Sequence, residues 1–172
     1  MMALKMEFTF DDKTYRRYMN GFLTVMHCHH YMSLLSKLAI DFDDIGGARI
    51  LCESVEDSVR PMIDDYCAKN NLASFADKLD VGRQYYSAMG MGVMKISGDP
   101  GQGEVTLTRS HVDQGWMKKW GNYKAPVNHW TRGYIAAMFA SAAGKPPRSY
   151  EVAETASMVM GNPTSVFTVK SK

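Results

Sequence analysis

The 172-residue chain has no apolar run approaching the ~20 residues that a membrane helix needs, and no linker, repeat or low-complexity stretch. Charge of one sign does not accumulate either: 20 Lys and Arg stand against 18 Asp and Glu, spread along the chain. Bulk electrostatics therefore gives no pull toward nucleic acid. Cysteine is scarce. Cys28, Cys52 and Cys67 are odd in number and lack C-x-x-C spacing, which argues against a disulfide framework and for free thiols. The opening "MMALKMEFTF" has neither the apolar core nor the small-residue cleavage site of a signal peptide, so the expected location is the cytoplasm.

Catalytic signatures are missing as well. There is no G-x-S-x-G elbow for a nucleophilic serine and no Walker loop. Gly90 and Gly92 lead into an expected strand, so they do not open a dinucleotide-binding helix. The reading is of no catalytic residue and no cofactor.

What is present is a globular composition, 45% hydrophobic and 11% aromatic, with 14 Met. One domain over residues 1–172 is expected. Methionine fills irregular apolar space, which suits a ligand cavity, a self-association face or simply a filled core. Asp11, Asp12 and Thr14 are N-cap candidates for a long helix through "YRRYMNGFLTVMHCHHYMSLLSKLAIDF". At about 100° per residue this helix would put Phe22, Val25, Cys28, His29 and Met32 on one face. "DDIGG" breaks it, a second helical stretch carries Pro61 as a kink or restart, and a third runs from a Ser74 cap to Gly90.

From Met91 the period changes to that of strands. "MGVMKIS" and "EVTLTRS" flank the turn "GDPGQG" as a hairpin. "HVDQGWMKKWGNYKAP" has no clear period. A helix follows Pro126, slim on the side of Gly133, Ala136, Ala137 and Ala140, and a second hairpin is built around "GNPT". In its first strand Tyr150, Val152, Glu154, Ala156, Met158 and Met160 alternate with their neighbours. The expected fold class is α+β: N-terminal helices over residues 1–90, then a hairpin-helix-hairpin core over 91–172, its antiparallel sheet made from two hairpins with a small-residue helix between them.

The stretch "APVNHWTRGYIAAMFASAAGKPPRSYEVAETASMVMGNPTSVFTVK" resembles the C-terminal core of the 4-vinyl reductase domain, or hydrocarbon-binding, family, which shares the Bet3-like fold. The family pattern has a Pro-x-Cys entering a Gly-Tyr helix, a Gly-Lys-Pro helix end, a strand with Glu-x-x-Cys, and Met-Gly-x-x-x-Cys before the last strand. In many members the three cysteines and the glutamate bind zinc. Here the cysteine positions are Asn128, Ser157 and Ser165, and only Glu154 remains. An amide and two hydroxyls are poor zinc ligands, so the resemblance implies the fold without the metal, with a hydrogen-bonded cluster as one replacement.

The "HCHH" run, His27 to His30, raises a metal site of its own. On a helix His27 and His30 sit three apart, about 60° from each other, and a further ligand would come from His111, His129, Glu154 or Cys67. Recognisable helical zinc motifs add a catalytic carboxylate and a downstream ligand, and neither is present. No metal is expected, with His27, His30 and Glu154 the weak candidates. His29 is either a satisfied core histidine or a polar anchor in an apolar pocket. Trp116, Trp120, Tyr123, Trp130 and Tyr134 are candidate walls for a flat ligand or, equally, core and interface anchors. His111 and His129 flank them, and Arg132 is a candidate carboxylate holder.

The functional expectation is non-enzymatic binding of a small apolar or aromatic molecule, as a sensor or accessory protein. The candidate ligand-binding residues are Phe22, His29, Met32, His111, Trp116, Trp120, Trp130, Arg132 and Tyr134. The resemblance implies a homodimer; the charge balance and hydropathy add the expectation of no nucleic acid and no membrane span, and with no output domain read in the sequence a protein partner is expected to carry the signal. Two other readings stand beside it: an accessory subunit or reductase of tetrapyrrole or aromatic metabolism, and a Bet3-like assembly module without ligand.

Overall fold

Instead of a long first helix, the chain begins with an antiparallel meander: β1 (Phe8–Asp11), β2 (Arg16–Met19) and β3 (Phe22–Thr24). The computed structural model describes residues 4–172; the first three residues of "MMALKMEFTF" lie outside it. Asp11 does not cap a helix. Its carboxylate accepts from the Lys13 amide at 2.9 Å and the Thr14 hydroxyl at 2.6 Å, closing the β1–β2 turn. Asn20 and Gly21, both at positive φ (49° and 84°), form the β2–β3 turn, the backbone that an Asn-Gly hairpin favours.

Only then does α1 (His29–Asp41) start, with Cys28 at its N-cap. After a short 3-10 turn at Asp43–Ile45 comes α2 (Gly47–Lys69), which runs through Pro61 without a restart. In α3 (Phe75–Ala88), Ser74 Oγ accepts from the Asp77 amide, as the sequence pattern indicates. The expected hairpins follow as β4 (Gly92–Gly98) with β5 (Gln102–Ser110), and β6 (Tyr150–Ala156) with β7 (Ser165–Ser171). Antiparallel pairing of β5 with β7 joins them into one sheet, ordered β4-β5-β7-β6.

The stretch without a clear period contains α4 (His111–Trp120), and α5 (His129–Ala143) is the helix between the hairpins. The alternation expected to reach Met160 stops earlier: a bulge follows Glu154, and Met158–Met160 form a 3-10 turn. All three cysteines are free thiols.

Helix α5 is buried all round from Gly133 to Ala142, which its small residues make possible. A Cβ at Gly133 would stand 2.3 Å from the Cys52 carbonyl oxygen of α2, so the two backbones meet there. Tyr85, Tyr86, Tyr134, Phe139, Leu107 and Phe167 fill the space between α2, α3, α5 and the sheet. Each such burial contributes roughly 1.5–3 kcal/mol. A second, smaller cluster of Trp116, Val127 and Val159 packs apart from the main core.

Candidate functional site

Both α1 and α4 begin with a histidine, and the packing brings those two ends together. Ser110 caps α4 by accepting from the Asp113 amide at 3.2 Å, which places His111 at the first helical position. Glycine at 115 lets α4 close onto α1: a Cβ there would lie 2.4 Å from Ser33 Oγ and 2.7 Å from the His29 carbonyl oxygen. As a result the His29 and His111 rings stand 5.9 Å apart, and His27 is equally far from His111 on another side.

This α1–α4 seam contains an unusual density of unpartnered polar atoms. His29 Nε2, His111 Nε2, Ser36 Oγ and Trp116 Nε1 are all sealed from solvent without a hydrogen-bond partner. Buried polar atoms in folded proteins are nearly always satisfied, so four along one helix pair mark a place where a polar ligand atom or water completes the structure. Desolvation pushes the His111 pKa down, helped by His27 and His29, against a backbone hydrogen bond to Cys28. His29 is also lowered, by desolvation first and then by His30 and Lys118. Both imidazoles are therefore neutral at neutral pH and can accept as well as donate.

Beside the seam, under the meander, lies a cleft of about 370 Å³. Phe8, Tyr18, Met19, Val25, Met26 and Met89 give it an apolar lining, with Arg17 and His27 among its polar groups. His27 connects the two features, since it lines the cleft and faces His111.

The residues expected from sequence to form one pocket are distributed over several places. His29, His111 and Trp116 lie on the seam, and Met32 is buried in the main core one turn along α1. Trp120 and Tyr123 pack on Trp116 at 4.7 and 5.2 Å. Trp130 and Tyr134 are stacked on each other at 5.5 Å beside Tyr86, and the Tyr134 hydroxyl donates to the Gly82 carbonyl at 2.7 Å. The aromatic run thus divides into two separate clusters. Phe22 belongs to β3, and Val25 is exposed, so neither shares a helical face with His29.

Arg132 donates to the Val152 carbonyl at 3.0 Å and contacts His129 Nδ1 at 3.1 Å. It borders a different hollow, of about 400 Å³, whose other charges are mostly paired, Arg49 with Glu53 and Arg148 with Glu56. The idea of His27 and His30 as an i, i+3 pair is also corrected. Helix α1 starts at His29, so His27 precedes it and lies near His111, while the His30 ring lies tilted against His29 at 4.3 Å. Among the described residues, no three His, Cys, Asp or Glu side chains are grouped to hold a metal ion.

The four positions of the zinc pattern do converge, around a residue that sequence reasoning passed over. Asp113 Oδ2 accepts from Ser165 Oγ at 2.8 Å and from Asn128 Nδ2 at 3.4 Å, and Asn128 Nδ2 also reaches Ser110 Oγ at 3.1 Å. Glu154 Oε2 accepts from the Asn128 amide at 3.2 Å. This arrangement does not fit zinc: Asn128 turns its NH₂ donors inward and spends its oxygen on the Thr131 amide, and no thiolate is present. The signal for Asp113 was the Ser-x-x-Asp run of residues 110–113, a capping pattern that locates an α4 start.

No family model matches the chain, and no curated protein matches it. Solved structures do match, among them two that bear on the fold. The phenol-responsive sensory domain of the transcription activator PoxR, crystallised with phenol, superposes with a TM-score of 0.76 at 16% identity, over 95% of this chain and 84% of that one. A trafficking protein particle complex subunit 3 from Naegleria fowleri, covalently bound to palmitic acid, superposes with a TM-score of 0.51 at 11% identity, over 83% of this chain and 95% of that one. The fold is therefore the Bet3-like fold of 4-vinyl reductase-type domains.

Proposed function

We propose, from the premise of a fold shared with a phenol-responsive sensory domain, that this protein binds a small apolar or aromatic molecule as a non-enzymatic sensor or accessory protein. The observation that carries this reading is the seam itself. His29 Nε2 and His111 Nε2 are buried and unpartnered, and His111 is in ring contact with His27, which lines an apolar cleft; Trp116 Nε1 is unpartnered farther along α4. Greasy walls with a few polar atoms at hand are typical of ligand sites. The ligand places its polar group against the imidazoles and its apolar body toward Met19, Met26 and Met89.

Output passes by association. Helix α1 buries Met32, Ser33, Ser36 and Ala39 but leaves Tyr31, Leu34 and Leu38, and Phe42 just past its end, exposed. Such an apolar stripe fits a second copy of the chain, so the proposed state is a cytoplasmic homodimer with a protein partner for its signal. Among the described residues no helix is long and apolar enough to cross a membrane. The same α1 stripe also supports the second reading, an assembly module of Bet3 type that works without ligand.

Tryptophan fluorescence separates the two. Titration with phenol, alkylphenols and medium-chain fatty acids is expected to perturb Trp116 for at least one class, and His111→Ala should weaken that binding about tenfold, the worth of one buried hydrogen bond. No response to any class, with the dimer intact, would leave the assembly module standing.

A further inference from the structure

The oxygen cluster at the zinc-pattern position has a donor shortage that defines its chemistry. Asp113 and Ser157 are fully buried, and Asp113 Oδ1, Glu154 Oε1 and Ser157 Oγ are sealed without partners. The groups already engaged are the Ser165 hydroxyl and the Asn128 amide on Asp113 Oδ2, and the Asn128 backbone N–H on Glu154 Oε2. Among the described residues no Lys, Arg or His is paired with either carboxylate; the charge of Asp113 acts on Glu154, and both act on Tyr86, whose hydroxyl is held by Thr131 at 2.9 Å. Two uncompensated carboxylates in such a place are strongly disfavoured.

A cation or an added proton could close the network, whereas a water alone would leave two carboxylates charged with no base bonded to them; the direction of the groups already in place decides between the first two. A hard cation is held by bare oxygens, but Asn128 turns its NH₂ donors into this cluster and the Ser165 hydroxyl gives its hydrogen to Asp113 Oδ2, groups that would meet a cation with the wrong charge. A proton requires far less. Ser157 has one hydrogen of its own to give, and one acid proton added to the carboxyl pair provides the second donor, after which the three bare oxygens have partners.

We propose that Asp113 and Glu154 share one proton at neutral pH, and that this proton-closed network, with no metal, is the cross-link that ties α4, α5, β6 and β7 together where the family's zinc pattern would place an ion. The shifts agree in direction. Burial raises Asp113, against its bonds to Ser165 and Asn128 and the nearby Ser110 hydroxyl. Burial and then the charge of Asp113 push Glu154 up to about 7, with the nearby Ser157 hydroxyl, still short of a well-formed bond, the Asn128 N–H and Ser165 drawing it back. The inference is independent of the ligand reading, since it concerns a separate cluster and needs no small molecule.

The test uses the full chain, purified with zinc, manganese and calcium in the medium. Elemental analysis is expected to show no stoichiometric metal, and excess chelator is expected to leave the melting temperature unchanged. Infrared spectroscopy at neutral pH should show a protonated-carboxyl band that disappears in Glu154→Gln, a variant of equal volume whose amide replaces the acid proton as donor and which should fold. Stoichiometric metal with a chelator-induced fall in melting temperature would overturn the proposal. So would an infrared spectrum with no protonated-carboxyl band.

Discussion

Ser165 Oγ, at the first residue of β7, donates to Asp113 Oδ2 in the first turn of α4 at 2.8 Å, in an interior where both residues are wholly buried. The same hydroxyl accepts from the Met158 amide at 3.0 Å, so one serine bridges the sheet, the 3-10 turn and a helix. Asp113→Ala strands the Ser165 and Asn128 donors together and is expected to cost about 1–3 kcal/mol per unpaired group. Asp113→Asn, which keeps an acceptor oxygen, should cost less. Urea denaturation midpoints check the order.

Stability against pH should show two opposing trends. Glu154, raised from 4.5 to about 7, holds a proton in the folded chain that the unfolded chain has released, so its contribution is lost as pH rises through that window. His129 is lowered from 6.5 to about 4 by burial and then by Arg132. The folded chain resists a proton that the unfolded chain accepts, so that contribution is lost as pH falls. Between about 4.5 and 6.5 the two offset each other. Glu154→Gln removes only the first, and its stability should climb with pH there. The difference between parent and variant should reach on the order of 3 kcal/mol across the Glu154 window. Denaturation series at several pH values measure it.

Close backbone approach at two glycines predicts intolerance to a single methyl. Gly133→Ala drives a Cβ into the Cys52 carbonyl, and Gly115→Ala into Ser33 Oγ and the His29 carbonyl. Each should destabilise by roughly 1–3 kcal/mol, as overpacking does. Only Gly115→Ala should also weaken ligand binding, because it shifts the seam between His29 and His111. Comparing melting temperature with affinity for both variants distinguishes the effects.

The exposed stripe on α1 predicts the oligomeric state. Size exclusion with light scattering should return a dimer for the parent chain and a monomer for Leu38→Glu. Leu38 is 39% exposed, so the charge should leave the fold of the monomer intact.

The sheet, α5 and the caps of α3 were legible because each carries a local signal: alternation, small residues in period, a serine before an acidic third position. The meander was not, although its signal was present. Asp11 with Thr14 makes the same short-range bonds in a turn as at a helix N-cap, and Asn20-Gly21 is a hairpin dipeptide inside a stretch whose apolar spacing also suits a helix. The same short-range bonds serve either structure, and tertiary packing selects the turn over the expected helix cap. The site divides in the same way. His29, His111 and Trp116 stood out as residue types, but their meeting depends on Gly115 letting α4 onto α1, a contact without sequence period. Asp113 gathers its partners from segments up to 52 residues away.

Native mass spectrometry of freshly purified protein, followed by denaturation in the same run, tests the central claim most directly. The account predicts a small organic molecule of apolar or aromatic character released from the folded chain, and its loss in His111→Ala. A folded chain that carries no such molecule and takes up none from phenols, alkylphenols or fatty acids added in excess would contradict it.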